Sequence, residues 1–187
     1  DDDRMEERNV NRILNSTRND VDTRRFKVDV LGDAVERIGL GTRVVRLGTN
    51  VWDPNAVRAV AECDVVIGCV DTVDARYLLN RLATYYLLPY FDVGVRLVAT
   101  PEGGVREVCG TVHYLQPGRS SLLSRGLFTL AEVAAAGLRR TDPIAHTQNM
   151  KKGYIRGVVG PRPAVVSVNM LPAALTVHEL LARLHPY

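Results

Sequence analysis

The stretch Cys63-Asp64-Val65-Val66-Ile67-Gly68-Cys69-Val70-Asp71 decides the fold. Residues 63–69 form a nearly continuous apolar run, the mark of a parallel strand covered on both faces. In open α/β sheets ligands gather at the carboxyl ends of such strands, and Asp71 lies at this one. Immediately downstream, residues 72–87 have a helical period, and Pro89-Tyr90-Phe91-Asp92-Val93-Gly94 reads as another buried strand. Upstream, residues 42–47 alternate β-branched and basic side chains, the pattern of a short strand. After the turn Trp52-Asp53-Pro54, residues 55–62 supply one to two helical turns. Strand, helix, strand, helix with buried strands predicts an α/β domain: a mostly parallel sheet with helices on both faces.

Farther out the pattern changes. Residues 95–99 and 107–115, separated by Thr100-Pro101-Glu102-Gly103-Gly104, read as a pair of strands joined by a loop, which adds antiparallel strands near 95–115. Residues 5–38 carry helix signals, with Asn and Thr caps around Asn15 to Thr23 and a stop at Gly39 and Gly41. Residues 119–160 read as a mobile crossing segment, rich in Ser and then polar. Residues 164–185 form a last apolar-striped helix in which Pro172 marks an early turn or a kink.

Composition sets the outer bounds. The chain has 187 residues, 46% apolar and 24% charged, enough for one good core, so a single domain over 1–187 is expected. The net charge of +3 comes from 24 basic and 21 acidic residues with no polybasic block, so no nucleic-acid partner is expected. No apolar stretch approaches the roughly 20 residues of a membrane span. Cys63, Cys69 and Cys109 are too few and too scattered for a disulfide framework, which suits a reducing, cytoplasmic setting. His113, His146, His178 and His185 show no metal spacing. The opening Asp1-Asp2-Asp3 follows neither a start methionine nor a signal pattern and reads as a cut end.

Three groups of residues carry candidate chemistry. The acidic run Asp1 to Asp3, taken as following a strand upstream, has the character of a solvated acidic turn, the commoner case for a short charge run, or of a ribose-hydroxyl acceptor. Asn9, Asn11, Arg12, Arg24, Arg25 and Lys27 gather cations and amides suited to a polyphosphate, or form a solvated basic helix face. Asp71, where a buried strand meets a helix, is placed to hold Mg²⁺ by one oxygen or to cap that helix, with Asp74 and Arg76 capping or pairing locally.

In order and spacing these pieces resemble one family. Asp1-x-Asp3, Asn9-Val10-Asn11-Arg12, Lys27, Asp64 to Asp71 with Asp74 and Arg76, then Asn80 and Gly94, are similar to the ubiquitin-activating superfamily of ThiF, MoeB and HesA over residues 1–118. The likeness returns at Pro163 to Asn169. It implies a Rossmann-like fold, usually as a homodimer. It also implies an activity: ATP with Mg²⁺ activates the C-terminal glycine of a ubiquitin-like or sulfur-carrier protein as an acyl adenylate. By that resemblance Asp1 and Asp3 take the ribose, Asn9, Arg12 and Lys27 hold the triphosphate, and Asp71 binds Mg²⁺.

The departures set further expectations. The family's glycine-rich phosphate loop precedes the acidic pair, so this chain is expected to lack it and to bind ATP poorly alone. Where many relatives carry a Cys-x-x-Cys zinc knuckle, this chain has Ser121 and Ser124, so no zinc is expected. No cysteine occurs between 110 and 187, so no thioester on this chain is expected, and Cys63, Cys69 and Cys109 are assigned small packing roles. Two other readings stay open: a non-catalytic docking or dimerisation module of the same fold, and an NAD-dependent oxidoreductase.

Overall fold

The computed structural model describes residues 1–100, 104–152 and 166–185. The chain divides into two compact units, the first built on Asp1–Ala59 and the second on the chain from Val60 onward.

In the first unit the helix signals over 5–38 resolve into three elements. A 3-10 turn spans Glu7–Asn9, a short helix α1 spans Arg18–Asp22, and α2 spans Lys27–Ile38. Two residues in the left-handed region, Asn15 (φ 63°) and Arg24 (φ 50°), divide them. Asn tolerates that region better than most side chains; Arg24 does not, and is held there by its neighbours. Thr17 caps α1 in a reciprocal box with Asp20, and Gly39 at φ 76° ends α2 as expected.

The face of α2 is tied to the loop that follows it by alternating charges. Arg25 bridges Asp20 (3.1 Å) and Asp33 (2.6 Å), and Arg46 bridges Asp33 (2.6 Å) and Glu36 (2.6 Å). The hydroxyl of Thr17 first, and then Arg25, hold the Asp20 carboxyl below its ordinary range; Arg25 first, then Arg46, do the same for Asp33. Gly32 on α2 is where Arg46 crosses, since a Cβ there would fall 2.2 Å from its Nε. Residues 42–47 therefore do not form the expected strand. No strand among the described residues runs beside them, and Arg46 turns its side chain back onto α2. Helix α3, Pro54–Ala61, opens on Pro54 with the Asp53 carboxylate accepting from the Asn55 N–H, a favourable start.

The second unit holds the sheet. Strand β1 is Val66–Gly68, helix α4 is Val73–Tyr85, strand β2 is Tyr90–Ala99 and strand β3 is Val105–Leu115. The order is β1-β2-β3, with β1 parallel to β2 (Val66 opposite Tyr90) and β2 antiparallel to β3 (Tyr90 opposite Leu115). The stretches 89–94 and 95–99, read separately in sequence, are one ten-residue strand. Val66, Leu79, Ala83, Leu88, Tyr90, Phe91, Val93 and Leu115 form the core. Gly68 admits the Tyr90 ring: a Cβ there would lie 2.7 Å from the Tyr90 hydroxyl.

The described part of the segment expected to cross from 119 to 160 carries two helices, α5 at Leu130–Thr141 and α6 at Pro143–Lys151; residues 153–160 lie outside the described residues. Helix α7, Val166–Leu184, keeps Pro172 within it, packed over Gly110 of β3. Near its end the Arg183 guanidinium lies 4.0 Å from the centre of the Tyr114 ring. Among the described residues no helix is long and apolar enough to cross a membrane.

Candidate functional site

The acidic run is exposed, and one carboxylate oxygen from each of Asp1, Asp2 and Asp3 lies within 4.8 Å of the others. Backbone pairing sets what stands beside it. The Lys27 N–H donates to the Asp3 carbonyl (3.0 Å) and the Met5 N–H to the Arg25 carbonyl (2.8 Å), so residues 3–5 lie alongside 25–27. Met5, almost fully buried, anchors that contact. Lys27 is thereby fixed at the first position of α2 with Nζ 2.5 Å from Asp3 Oδ2. Its side chain is largely covered (19% exposed) while that of Asp3 is open (65%). The result is a carboxylate facing solvent with a cation set next to it, a pair able to accept from and donate to vicinal hydroxyls.

Asn9 and Arg12 have more local partners. Asn9 is buried, and its Oδ1 accepts the Glu6 N–H at 2.9 Å in a reciprocal capping box. Arg12 donates from Nη1 to the Arg8 carbonyl at 2.6 Å. The fold thus joins Asp1, Asp3 and Lys27 in one cluster and spends the Asn9 carboxamide oxygen on the turn from which Arg12 projects. Asp71 belongs to the second unit, exposed between β1 and α4.

Beneath that junction lies a polar network that sequence reasoning missed. Asp92 is fully buried on β2; both its oxygens accept from Arg76 of α4, one of them from Nε at 3.0 Å, and Oδ1 also accepts from the Tyr90 hydroxyl at 2.8 Å. Burial, reinforced by Asp92, pushes the Tyr90 hydroxyl's pKa well above its ordinary value, so it remains a donor. Burial likewise lowers His113, which stands opposite Asp92 on β3, despite the pull of that carboxylate. Asp74, in the first turn of α4, is also buried and pairs with Arg140 of α5 at 3.0 Å. Arg76 and Asp74 therefore pair over long range, not locally. Period two on β2, Tyr90-x-Asp92, was the signal for the first pair. Nothing in the sequence pointed to Arg140.

Asn80 closes the same region, its Oδ1 accepting the Leu122 N–H at 2.7 Å. The turn that follows holds Ser121 and Ser124, each hydroxyl accepting the other's backbone N–H (3.0 and 2.8 Å). Cys63 and Cys69 lie beyond the ends of the three-residue β1 with exposed surface and are not enclosed in the strand as expected; Cys109 is half-buried.

Comparison with known proteins gives a consistent answer. The ThiF family model matches residues 1–183. The chain is 28% identical over 90 residues to an adenylyltransferase and sulfurtransferase, UBA4, of Meyerozyma guilliermondii; the match takes in 48% of this chain and 20% of that protein. The chain thus spans about a fifth of that relative's length. Among solved structures it is similar to E. coli MccB with ATP (TM-score 0.60, 15% identity, 97% of this chain and 46% of that one). It is also similar to PaaA (TM-score 0.55, 14% identity, 96% and 53%). At those identities the likeness is one of fold, a Rossmann-like α/β arrangement in which this chain matches about half of each neighbour. With the family model running almost end to end over these residues, the chain belongs to the ThiF family.

Proposed function

We propose that the chain supplies the nucleotide-handling part of an ATP-dependent adenylyltransferase, which activates the C-terminal glycine of a ubiquitin-like or sulfur-carrier protein as an acyl adenylate. The observation that carries this reading is the Asp3–Lys27 pair, held by backbone bonds at the start of α2 within a chain of the ThiF family. Asp1 and Asp3 fit a ribose, because exposed carboxylates accept from its hydroxyls while Lys27 supplies the neighbouring positive charge. Arg12 and Lys27 offset phosphate charge, and Asn9 supports them by fixing the turn that precedes Arg12. Asp71 gives a single hard oxygen ligand of the kind Mg²⁺ takes beside substrate phosphates. ATP supplies the activated phosphoryl centre; the protein's share is alignment and charge compensation, which require no covalent residue.

Zinc has no place in this reading, since Ser121 and Ser124 offer hydroxyls that already satisfy each other's backbone. A homodimer in the cytoplasm completes it. The test uses the full-length protein: ATP–pyrophosphate exchange should appear only with the cognate carrier protein and be lost in D71A and R12A. Exchange undiminished in both variants would remove those roles. NAD binding without ATP binding would replace the proposal with an oxidoreductase. A second reading, a non-catalytic docking module, is favoured by one observation: Asn9 is committed to its own turn. Carrier-dependent exchange by the wild type would refute it.

A further inference from the structure

Helices α5 and α6 are anchored in an unusual way. Neither contains a fully buried residue; α5 lays a half-buried face along α4, so no single apolar side chain fixes them. Ahead of α5, Phe128 is buried and meets Tyr77 of α4 edge-on, with ring centres 6.3 Å apart. At the far end of α5 stands Arg140, whose Nε donates to Asp74 Oδ2 at 3.0 Å. The Asp74 side chain is 4% exposed and that of Arg140 39%. Two residues past Arg140, Asp142 accepts the Ala145 N–H and starts α6. One ion pair therefore fixes the elbow between α5 and α6 against the first turn of α4.

The charges suit their places. An acid in the opening turn of α4 and a base in the closing turn of α5 each oppose the partial charge of their own helix end, so the pair is favoured by both helices as well as by mutual attraction. Asp74 is three residues beyond Asp71, on the same β1–α4 junction. A carboxylate buried this deeply needs its partner, and withdrawing the guanidinium leaves an uncompensated charge in that turn.

We infer that Arg140 and Asp74 form a latch that clasps the α5–α6 arm to the start of α4, and that Arg140 is thereby a positioning residue for Asp71. The latch follows from the geometry; the positioning role rests on the proposed function. With the latch closed, the turn after Asp71 has one arrangement. With it open, α5 keeps the Phe128 tether and its partial apolar contact with α4, and the arm swings more freely.

The two parts are tested separately in the full-length protein. Hydrogen exchange of residues 130–151 in R140A should quicken by roughly tenfold or more while β2 and β3 keep their protection. R140K, which keeps the charge without the planar fork, should fall between R140A and wild type. The double variant D74N/R140Q, which removes both charges, checks that any change is not merely an orphaned carboxylate: it should also free the arm while the sheet stays protected. Unchanged exchange in α5 and α6 for R140A would overturn the latch. For the positioning role, the Mg²⁺ concentration giving half-maximal ATP–pyrophosphate exchange should rise several-fold in R140A and recover largely in R140K. A freed arm with an unmoved Mg²⁺ midpoint would overturn that role and leave the latch standing. Absence of exchange in wild type would overturn the function and the positioning role together, while the hydrogen-exchange result still decides the latch.

Discussion

Single residues in this molecule carry costs that the sequence does not advertise. Leu87 sits at φ 58° and 70% exposed, just past the end of α4. A leucine in the left-handed region loses roughly 1 kcal/mol that a glycine would not, and this one buries little in return. L87G should therefore raise stability by about 0.5 kcal/mol once the added freedom of the unfolded chain is subtracted, measurable as a higher urea midpoint. Arg76 lies at the other extreme. Its bidentate hold on the buried Asp92 offsets a charge that has no access to water, so R76A should cost about 3 kcal/mol or more. For a chain of this size that corresponds to a melting temperature lower by roughly 6–12 °C in calorimetry. A drop below about 2 °C would mean that Asp92 finds another partner.

At the scale of elements, the parts legible in the sequence were those with strong period and clear punctuation. The helix after Asp71, the strands on either side of residue 100 and the stop at Gly39 all appear, while the apolar run 63–69 shortens to the three residues of β1 and leaves Ile67 exposed instead of covered on both faces. Residues 42–47 misled because β-branched alternation marks a strand only where a neighbour completes the ladder, and Arg46 is recruited by Asp33 and Glu36 instead. The helices within 119–160 were hidden for a different reason: α6 has almost no apolar period, and α5, which has one, fully buries none of its residues. Their start signals stood in plain view in Thr129-x-x-Glu132 and Asp142-Pro143. The candidate site was only partly legible. The Asp1, Asp3 and Lys27 cluster follows from the expected order of motifs, but the burial of Asn9 and the reach of Arg140 depend on tertiary pairing that spacing cannot reveal.

At the scale of whole units, charge decides the response to acid. Asp20 and Asp33 both titrate below their ordinary range because Thr17, Arg25 and Arg46 favour their ionised forms. Folded values below the unfolded ones mean that this stabilisation is fully present above about pH 4 and is lost as pH falls through the lower, folded values. The first unit should thus lose stability in acid, and D20N should flatten that loss in a pH series of denaturant midpoints. Equal acid sensitivity in D20N and wild type would assign the effect elsewhere.

The sheet order has a kinetic implication. Strands β2 and β3 can zip from the end where Ala99 meets Val105, close in sequence, whereas β1 meets β2 only after all of α4 has been laid between them. Docking of β1 should then come late on the route to the native state. Trimming its inward methyls with V66A should hasten unfolding and leave the refolding limb of a chevron almost unmoved. The junction of β1 with α4 would accordingly be the last part of the sheet to assemble and the first to come apart.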